Sequence, residues 1–188
     1  MKKNFFFYLL LTILFFQGYL QARAQTTLDY QSRIHPEISS DFMVVSQNKH
    51  ATEAGYEVLK NGGNAIDAAI AANAVLGLVE PTGCGVGGDL FAIVWSADDK
   101  RLYGLNSSGP APIKISIKEI TNKGLDAIPP YGPLPVTVPG AVAGWVELHK
   151  KFGLMDFNLL FKNAIEYAEK GFPVTEVVAY YLKLSSEN

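Results

Sequence analysis

The 188-residue chain is poor in the side chains that build disulfides and metal sites. Cys84 is its one cysteine, and its three histidines are His35, His50 and His149. A single cysteine excludes an internal disulfide, so the stability of the fold must come from packing. The histidines and Cys84 have no metal-ligand spacing. The sequence therefore supplies no candidate metal site and no cofactor, and we interpret Cys84 as a small packed residue rather than a catalytic thiol.

The sequence also lacks an apolar run long enough to span a membrane. The run at residues 5–16 is shorter than the roughly 20 residues that a transmembrane helix needs. It follows Lys2 and Lys3 and precedes Ala22-Arg23-Ala24, an order that is typical of a secretory signal peptide. We expect residues 1–24 to be cleaved and the mature protein to be exported, periplasmic or extracellular, without a stable membrane anchor. An uncleaved N-terminal anchor is the alternative.

Positive charge is scarce as well. Lys2, Lys3 and Arg23 precede the expected cleavage site, and without them the chain has 13 basic and 18 acidic residues and a formal net charge of −5. Nucleic acids and anionic membranes are bound through a basic face. We therefore expect a partner of neither kind.

The spacing of the apolar residues predicts a mixed α/β (α+β) fold. A β-hairpin is expected at 89–106, because two apolar strands flank the turn Asp98-Asp99-Lys100. The other predicted elements are a strand at 42–46, a short helix or turn at 113–121, and helices at 51–61, 65–79, 138–153 (with Pro139 in its first turn), 157–170 and after Val174.

The helix at 65–79 is unusually apolar. Asn64 is placed to cap it, and Asp67 occupies its third position, where a carboxylate interacts favourably with the positive helix end. Asn73 is the only other polar residue, and six of the fifteen residues are alanine. A helix that is apolar all round is expected to be buried on all sides.

A glycine-dense segment, the glycine loop (residues 82–88), follows Pro81 and leads into the first hairpin strand. Its sequence GCGVGG matches G-x-G-x-x-G, but a dinucleotide-binding loop must follow a strand and open a helix. Here a helix precedes and a strand follows, so we interpret the loop as a tight structural crossing. A nest of backbone N–H groups for an anion is the alternative. The chain has no Gly-x-Ser-x-Gly motif, and its residues alone provide no complete catalytic set.

Several blocks of sequence in a fixed order resemble one family. They are SQNKHATEA at 46–54, GYEVLKNGGNAIDAAIAANAVLGLVEP at 55–81, GCGVGGDLFAIVW at 83–95, VPGAVAGWVELHKKFG at 138–153 and AIEYAEKGFPV at 164–174. Over residues 42–180 the chain resembles the start of the γ-glutamyltransferase (glutathione hydrolase) precursors.

The resemblance implies an N-terminal-nucleophile hydrolase with a four-layer αββα core, made as a proenzyme that cleaves itself into a large and a small subunit. The nucleophile is then the new N-terminal Thr of the small subunit, whose α-amine can act as the base. Neither that Thr nor its surrounding motifs occurs in this chain. Residues 25–188 are therefore expected to be the N-terminal portion of the large subunit, an incomplete domain that is inactive by itself and has the small subunit as its partner.

The implied activity is cleavage of γ-glutamyl amides, glutathione included, through a threonine acyl-enzyme that passes the acyl group to water or an amine. In typical transpeptidases, an Arg just before the Ala-Pro that follows the hairpin is expected to pair with the γ-glutamyl α-carboxylate. Here that segment has no Arg, and Ser108 is nearest the expected place. Asn106, Ser107 and Ser108, the donor segment, are the candidate substrate-binding residues, with a simple turn as the alternative.

Two other functions are left open, the first of them because of the missing Arg. One is an acylase or amidohydrolase of the same superfamily that acts on other dicarboxylic amides. The other is a non-catalytic remnant that binds a partner through its exposed core face. No cofactor and no metal is implied for any of these functions.

Overall fold

The computed structural model describes residues 36–186. Residues 36–40 hold neither helix nor strand, whereas residues 41–186 form a unit with helices packed on one face of a two-stranded sheet. This arrangement confirms the mixed class. In chain order the elements are α1 (Lys49–Lys60), α2 (Ala65–Val79), β1 (Leu90–Ser96), β2 (Arg101–Ser107), α3 (Ile117–Asn122), α4 (Ala141–Phe152), a 3-10 helix (Phe157–Phe161), α5 (Lys162–Lys170) and α6 (Glu176–Ser186).

Helix α2 has the predicted bounds, and a reciprocal cap fixes its start. The Asn64 Oδ1 atom accepts hydrogen bonds from the backbone N–H groups of Ile66 and Asp67, at 2.9 and 3.1 Å. The Asp67 Oδ2 atom accepts a hydrogen bond of 3.0 Å from the backbone N–H of Asn64. These bonds satisfy donors that a helix N-terminus leaves without intrahelical partners.

The Asp67 carboxylate also joins α2 to the loop after α4. It is fully buried, and its Oδ2 atom accepts the backbone N–H groups of Leu154 at 3.1 Å and Met155 at 3.0 Å. The His149 Nε2 atom lies 3.8 Å from the Asp67 Oδ1 atom and donates to the Met155 carbonyl at 2.7 Å. Because these donors replace the water that a buried carboxylate loses, the charge is tolerated there. The cluster therefore holds the start of α2 against the end of α4.

The apolar core lies on two sides of α2. One cluster joins α1 and α2 to α4 and the 3-10 helix, through Val58, Ala68, Ile70, Ala71, Trp145, Leu148 and Leu160. A second cluster joins α2 to α1, through Ala51, Ala54, Ala72, Val75 and Val79. The distance between packed helices depends on the side chains at the contact, so the alanines of the second cluster permit a close approach.

Burial of α2 on all sides, expected from its composition, is wrong for the described residues. Ala65 and Ala69 are exposed, because they line an open groove of about 600 Å³ between α2 and residues 42–46. Those residues alternate between half-buried and exposed side chains, as predicted for a strand. The strand itself is also a wrong prediction, since in residues 36–186 the sheet consists of β1 and β2. The sequence supplies a short apolar run, but a strand also needs a hydrogen-bonded neighbour.

Strands β1 and β2 form the predicted antiparallel hairpin, with Leu90 opposite Ser107 and Ser96 opposite Arg101. The inner face packs on the first core cluster, through Leu90, Ala92, Val94 and Leu105. The opposite face, called the outer face here, is apolar and exposed: Phe91, Ile93, Trp95 and Leu102 keep 67%, 79%, 61% and 60% of their surface accessible.

Charge-assisted hydrogen bonds order the hairpin turn. The Asp99 carboxylate accepts the Tyr103 hydroxyl at 2.9 Å and the Ser96 hydroxyl at 3.0 Å. Both bonds favour the ionised form and hold the pKa of Asp99 below its usual value. The same bond to Asp99 raises the pKa of Tyr103.

Two helices differ from their predicted forms. Helix α4 begins at Ala141, so Pro139 precedes it and does not lie in its first turn. The reason is that the backbone N–H groups of Gly140 and Ala141 both donate to the Gly88 carbonyl, which fixes the chain just before the helix. The single helix predicted at 157–170 is divided into the 3-10 helix and α5.

The expected signal peptide at residues 1–24 lies outside the described residues. In the part of the chain that the structure describes, no helix is long and apolar enough to cross a membrane. Helix α2, the most apolar, has 15 residues, fewer than the roughly 20 that a span requires.

We expect Asp67→Asn to lower the free energy of unfolding by about 1–3 kcal/mol, because the amide NH₂ group replaces a carboxylate oxygen beside buried N–H donors. The measurement is urea unfolding of the full-length protein. The control, Asp98→Asn in the exposed hairpin turn, is expected to stay within about 0.5 kcal/mol of the unsubstituted protein. Equal midpoints for the two variants would contradict the role given to Asp67.

Candidate acyl-donor site

Three segments of the chain meet at the end of the hairpin that is remote from its turn. They are Gly88 with the start of β1, the end of β2, and residues 137–140 before α4. The Gly88 carbonyl accepts the backbone N–H groups of Gly140 at 3.0 Å and Ala141 at 2.9 Å. The backbone N–H of Val138 donates to the Pro110 carbonyl at 3.0 Å. This three-segment junction is therefore held largely by main-chain atoms.

Glycine is required at two positions of the junction, because main-chain segments touch there. A Cβ atom on Gly109 would overlap the Val138 carbonyl, and one on Gly140 would overlap the Ser107 carbonyl. Neither neighbour is a flexible side chain that could move aside. The close approach of main-chain segments is therefore found at the junction.

The glycine loop is more open than predicted. A Cβ atom on Gly83, Gly85 or Gly87 would meet nothing within 4 Å among the described residues. The tight crossing expected for the loop is therefore not found at these three glycines, although the Gly85 backbone lies against Gly77 of α2. The loop is a self-bonded turn, in which the N–H of Gly88 donates to the Gly85 carbonyl at 3.1 Å. The N–H groups of Gly83 and Cys84 are also engaged, with the Glu80 carbonyl, which weakens the alternative of an anion nest.

Two pockets share Asn73 and Asp89 in their walls. One, of about 410 Å³, lies over the glycine loop. The other, of about 280 Å³, lies between α2 and β1 and reaches Trp145. The Asn73 Oδ1 atom accepts the Trp145 indole N–H at 2.8 Å, and this bond fixes the orientation of the amide. A small polar group bound in either pocket would therefore meet the same two side chains.

The structure places the three residues of the donor segment in different surroundings. Ser107 is half-buried against α4, and its hydroxyl donates to the Gly140 carbonyl at 2.7 Å. Asn106 is exposed, and its Oδ1 atom accepts the backbone N–H of Ser108 at 2.9 Å. The exposed Ser108 hydroxyl donates to the Asp89 carboxylate at 3.3 Å. Asn106 and Ser108 are thus accessible to a ligand, whereas Ser107 is engaged in holding the junction.

Asp89 is a residue of this site that the motif reading missed. Its Oδ1 atom accepts the backbone N–H of Gly109 at 3.1 Å and the Thr137 hydroxyl at 3.5 Å, and its Oδ2 atom accepts Ser108. One exposed carboxylate at the start of β1 therefore links all three segments. The signal in the sequence was an acidic residue between the last loop glycine and an apolar strand.

The chemistry available at this site is binding and orientation. In residues 36–186 no group of three His, Cys, Asp or Glu side chains could hold a metal ion. Both described histidines are engaged elsewhere, His149 with Met155 and His50 with the Tyr167 hydroxyl at 3.1 Å. Cys84 is a half-buried free thiol in the loop.

The family model described as gamma-glutamyltranspeptidase matches residues 51–188. The chain belongs to the γ-glutamyltranspeptidase family. This assignment confirms the resemblance found in the sequence blocks, and with it the fold class, an N-terminal-nucleophile hydrolase represented by its N-terminal part.

Relatives match most of this chain but only part of their own length. The glutathione hydrolase-like YwrD proenzyme of Bacillus subtilis is 38% identical over 142 residues, which are 73% of this chain and 26% of the relative. The γ-glutamyltranspeptidase of Helicobacter pylori superposes with a TM-score of 0.75 at 31% identity, over 81% of this chain and 44% of that one. A cephalosporin acylase from Bacillus halodurans superposes with a TM-score of 0.71 at 41% identity, over 84% of this chain and 31% of that one. The chain spans about a quarter of the length of the curated relatives it matches.

We expect Gly140→Ala to destabilise the full-length protein by about 1–3 kcal/mol, since the new methyl group forces main-chain segments apart. Gly83→Ala is the matched control, as its Cβ atom enters open space. Thermal unfolding compares the two variants. Unchanged stability in Gly140→Ala would refute the close contact at the junction.

Proposed function

We propose that the full-length protein is a γ-glutamyltransferase or glutathione hydrolase and that this chain supplies one wall of its acyl-donor site. The observation that carries the proposal is the junction itself. In a chain that belongs to the γ-glutamyltranspeptidase family, Asn106, Ser108 and Asp89 form one hydrogen-bonded rim. Asp89 also borders both pockets, so the rim opens onto space that a small acyl group could occupy.

In the proposed reaction the nucleophile is a Thr outside this chain, at the N-terminus of a small subunit. Its hydroxyl attacks the amide carbonyl carbon while its α-amine takes the hydroxyl proton, and the amine of the substrate leaves with a proton. The resulting ester is attacked by water or by a second amine, which releases the acid or a new amide. Asn106 and Ser108 orient the acyl group for the attack, and Ser107 positions them.

The small subunit is the proposed partner of the outer face. Phe91, Ile93, Trp95 and Leu102 are apolar and exposed, and exposed apolar patches of this kind mark surfaces that other protein covers. Relatives that are named proenzymes support a partner made from the same precursor. An αββα arrangement would bring a second sheet against this face.

Export and domain organisation are part of the proposal. The order of basic, apolar and small residues in 1–24 supports a cleaved signal peptide, and the mature protein is then periplasmic or extracellular. Residues 25–188 form the N-terminal portion of the large subunit, which is inactive without the nucleophile.

A second candidate is an acylase or amidohydrolase that acts on other dicarboxylic amides. Two observations favour it. The donor segment and the Gly109-Pro110-Ala111-Pro112 that follows contain no Arg, and the cephalosporin acylase is 41% identical to this chain over the aligned region.

The two candidates are separated by assaying the processed full-length enzyme with glutathione and with glutaryl amides. We expect release of glutamate from glutathione, and its loss when the N-terminal Thr of the small subunit is replaced by Ala. Turnover of glutaryl amides with no glutamate released from glutathione would reject the γ-glutamyl function and leave the acylase.

The partner surface is tested with Ile93→Lys in the full-length precursor. We expect weaker association of the two subunits, because a charge would enter an apolar contact. Ile113→Lys is the matched control, since Ile113 is fully exposed and lies outside the hairpin. Size-exclusion chromatography of the processed protein measures association. Equal retention of the small subunit by both variants would contradict this role of the outer face.

A further inference from the structure

The hydrogen bonds around Ser108 leave it without a proton to offer a ligand. A serine hydroxyl has one O–H donor and two acceptor lone pairs. In this structure the Ser108 O–H donates to the Asp89 Oδ2 atom at 3.3 Å. A substrate carboxylate needs donors, so Ser108 does not replace the Arg expected in typical transpeptidases. Toward a ligand it presents lone pairs.

Asp89 retains acceptor capacity at the same place. An ionised carboxylate has about four lone-pair sites, and Asp89 uses two on Oδ1, for Gly109 and Thr137, and one on Oδ2, for Ser108. One site on Oδ2 is left, on an exposed side chain that borders both pockets. An N–H donor that reaches this rim therefore finds oxygen atoms from both Ser108 and Asp89.

The formal charge at the rim is negative. Within residues 36–186 the ion pairs involve other carboxylates, and no Lys, Arg or His pairs with Asp89. Asn106 adds a neutral amide. A like charge brought to this rim is repelled, whereas an opposite charge gains a charge-assisted hydrogen bond.

We propose that Asp89 is a specificity-determining residue, which makes the donor site select acyl groups that carry an ammonium group and disfavour those that carry only a carboxylate at the same carbon. The inference rests on the proposed function, because it takes the donor segment as part of the acyl-donor site. For a γ-glutamyl donor, the α-ammonium rather than the α-carboxylate then lies against Ser108 and Asp89.

The test uses three 4-nitroanilides with the processed full-length enzyme. The γ-glutamyl compound carries both charged groups, the 4-aminobutyryl compound lacks the carboxylate, and the glutaryl compound lacks the ammonium. We expect kcat/KM for 4-aminobutyryl to exceed that for glutaryl by about 10–100-fold, the value of a hydrogen bond to a charged group.

Asp89→Asn keeps the shape of the side chain and removes its charge, and it should bring the ratio of the two kcat/KM values close to one. Thr137→Val is the control, because it removes one hydrogen bond to Asp89 but keeps the charge. The ratio of the two kcat/KM values should therefore stay as in the unsubstituted enzyme. If Asp89 only supported the fold, both variants would lower both rates and leave the ratio unchanged. Ser108→Ala provides a second variant in case Asp89→Asn is not processed into subunits, and it should keep the preference for ammonium.

The outcomes separate this inference from the proposed function. Without turnover of the γ-glutamyl compound, the proposed function fails and the inference fails with it. If that compound is cleaved but glutaryl equals or exceeds 4-aminobutyryl, only the inference is overturned. It is equally overturned by an unchanged ratio in Asp89→Asn, or by a preference for glutaryl in Ser108→Ala.

Discussion

The buried carboxylate of Asp67 is the constraint on which the rest of the unit depends. It closes the cap of α2 with Asn64 and accepts the N–H groups of Leu154 and Met155, so one side chain sets the position of α2 relative to α4. Both core clusters contain residues of α2, and the inner face of the hairpin packs on the first of them. These successive contacts also determine the position of the junction at the end of the hairpin.

Charge distinguishes this donor segment from the one expected in typical transpeptidases. A guanidinium would neutralise a substrate carboxylate, whereas this segment holds an amide and a hydroxyl that is already bonded to Asp89. The γ-glutamyltranspeptidase fold is kept while the sign of the local charge differs. Fold and family therefore indicate the reaction class, and the proposal assigns the choice of acyl group to the side chains at the rim.

Features set by local interactions could be predicted from the sequence. Asn64 and Asp67 indicate the start of α2, and two apolar strands around Asp98-Asp99-Lys100 predict the hairpin. Residues 42–46 could not be assigned correctly, because strand pairing depends on a neighbour that periodicity does not supply. The start of α4 was wrongly placed at Pro139 for a similar reason, because the Gly88 carbonyl, about 50 residues away, decides where the helix begins. Asp89 was missed because its role arises only when three distant segments meet.

The main-chain bonds of the junction have an evolutionary consequence. The carbonyl of Gly88, the N–H groups of Gly140 and Ala141, and the Val138–Pro110 bond hold the segments whatever side chains stand at 106 and 108. Exchanges at those two positions therefore leave the main-chain bonds of the junction in place. On the proposed role of the rim, a lineage built on such a frame can change the side chains beside Asp89 while each intermediate keeps the junction that holds the site.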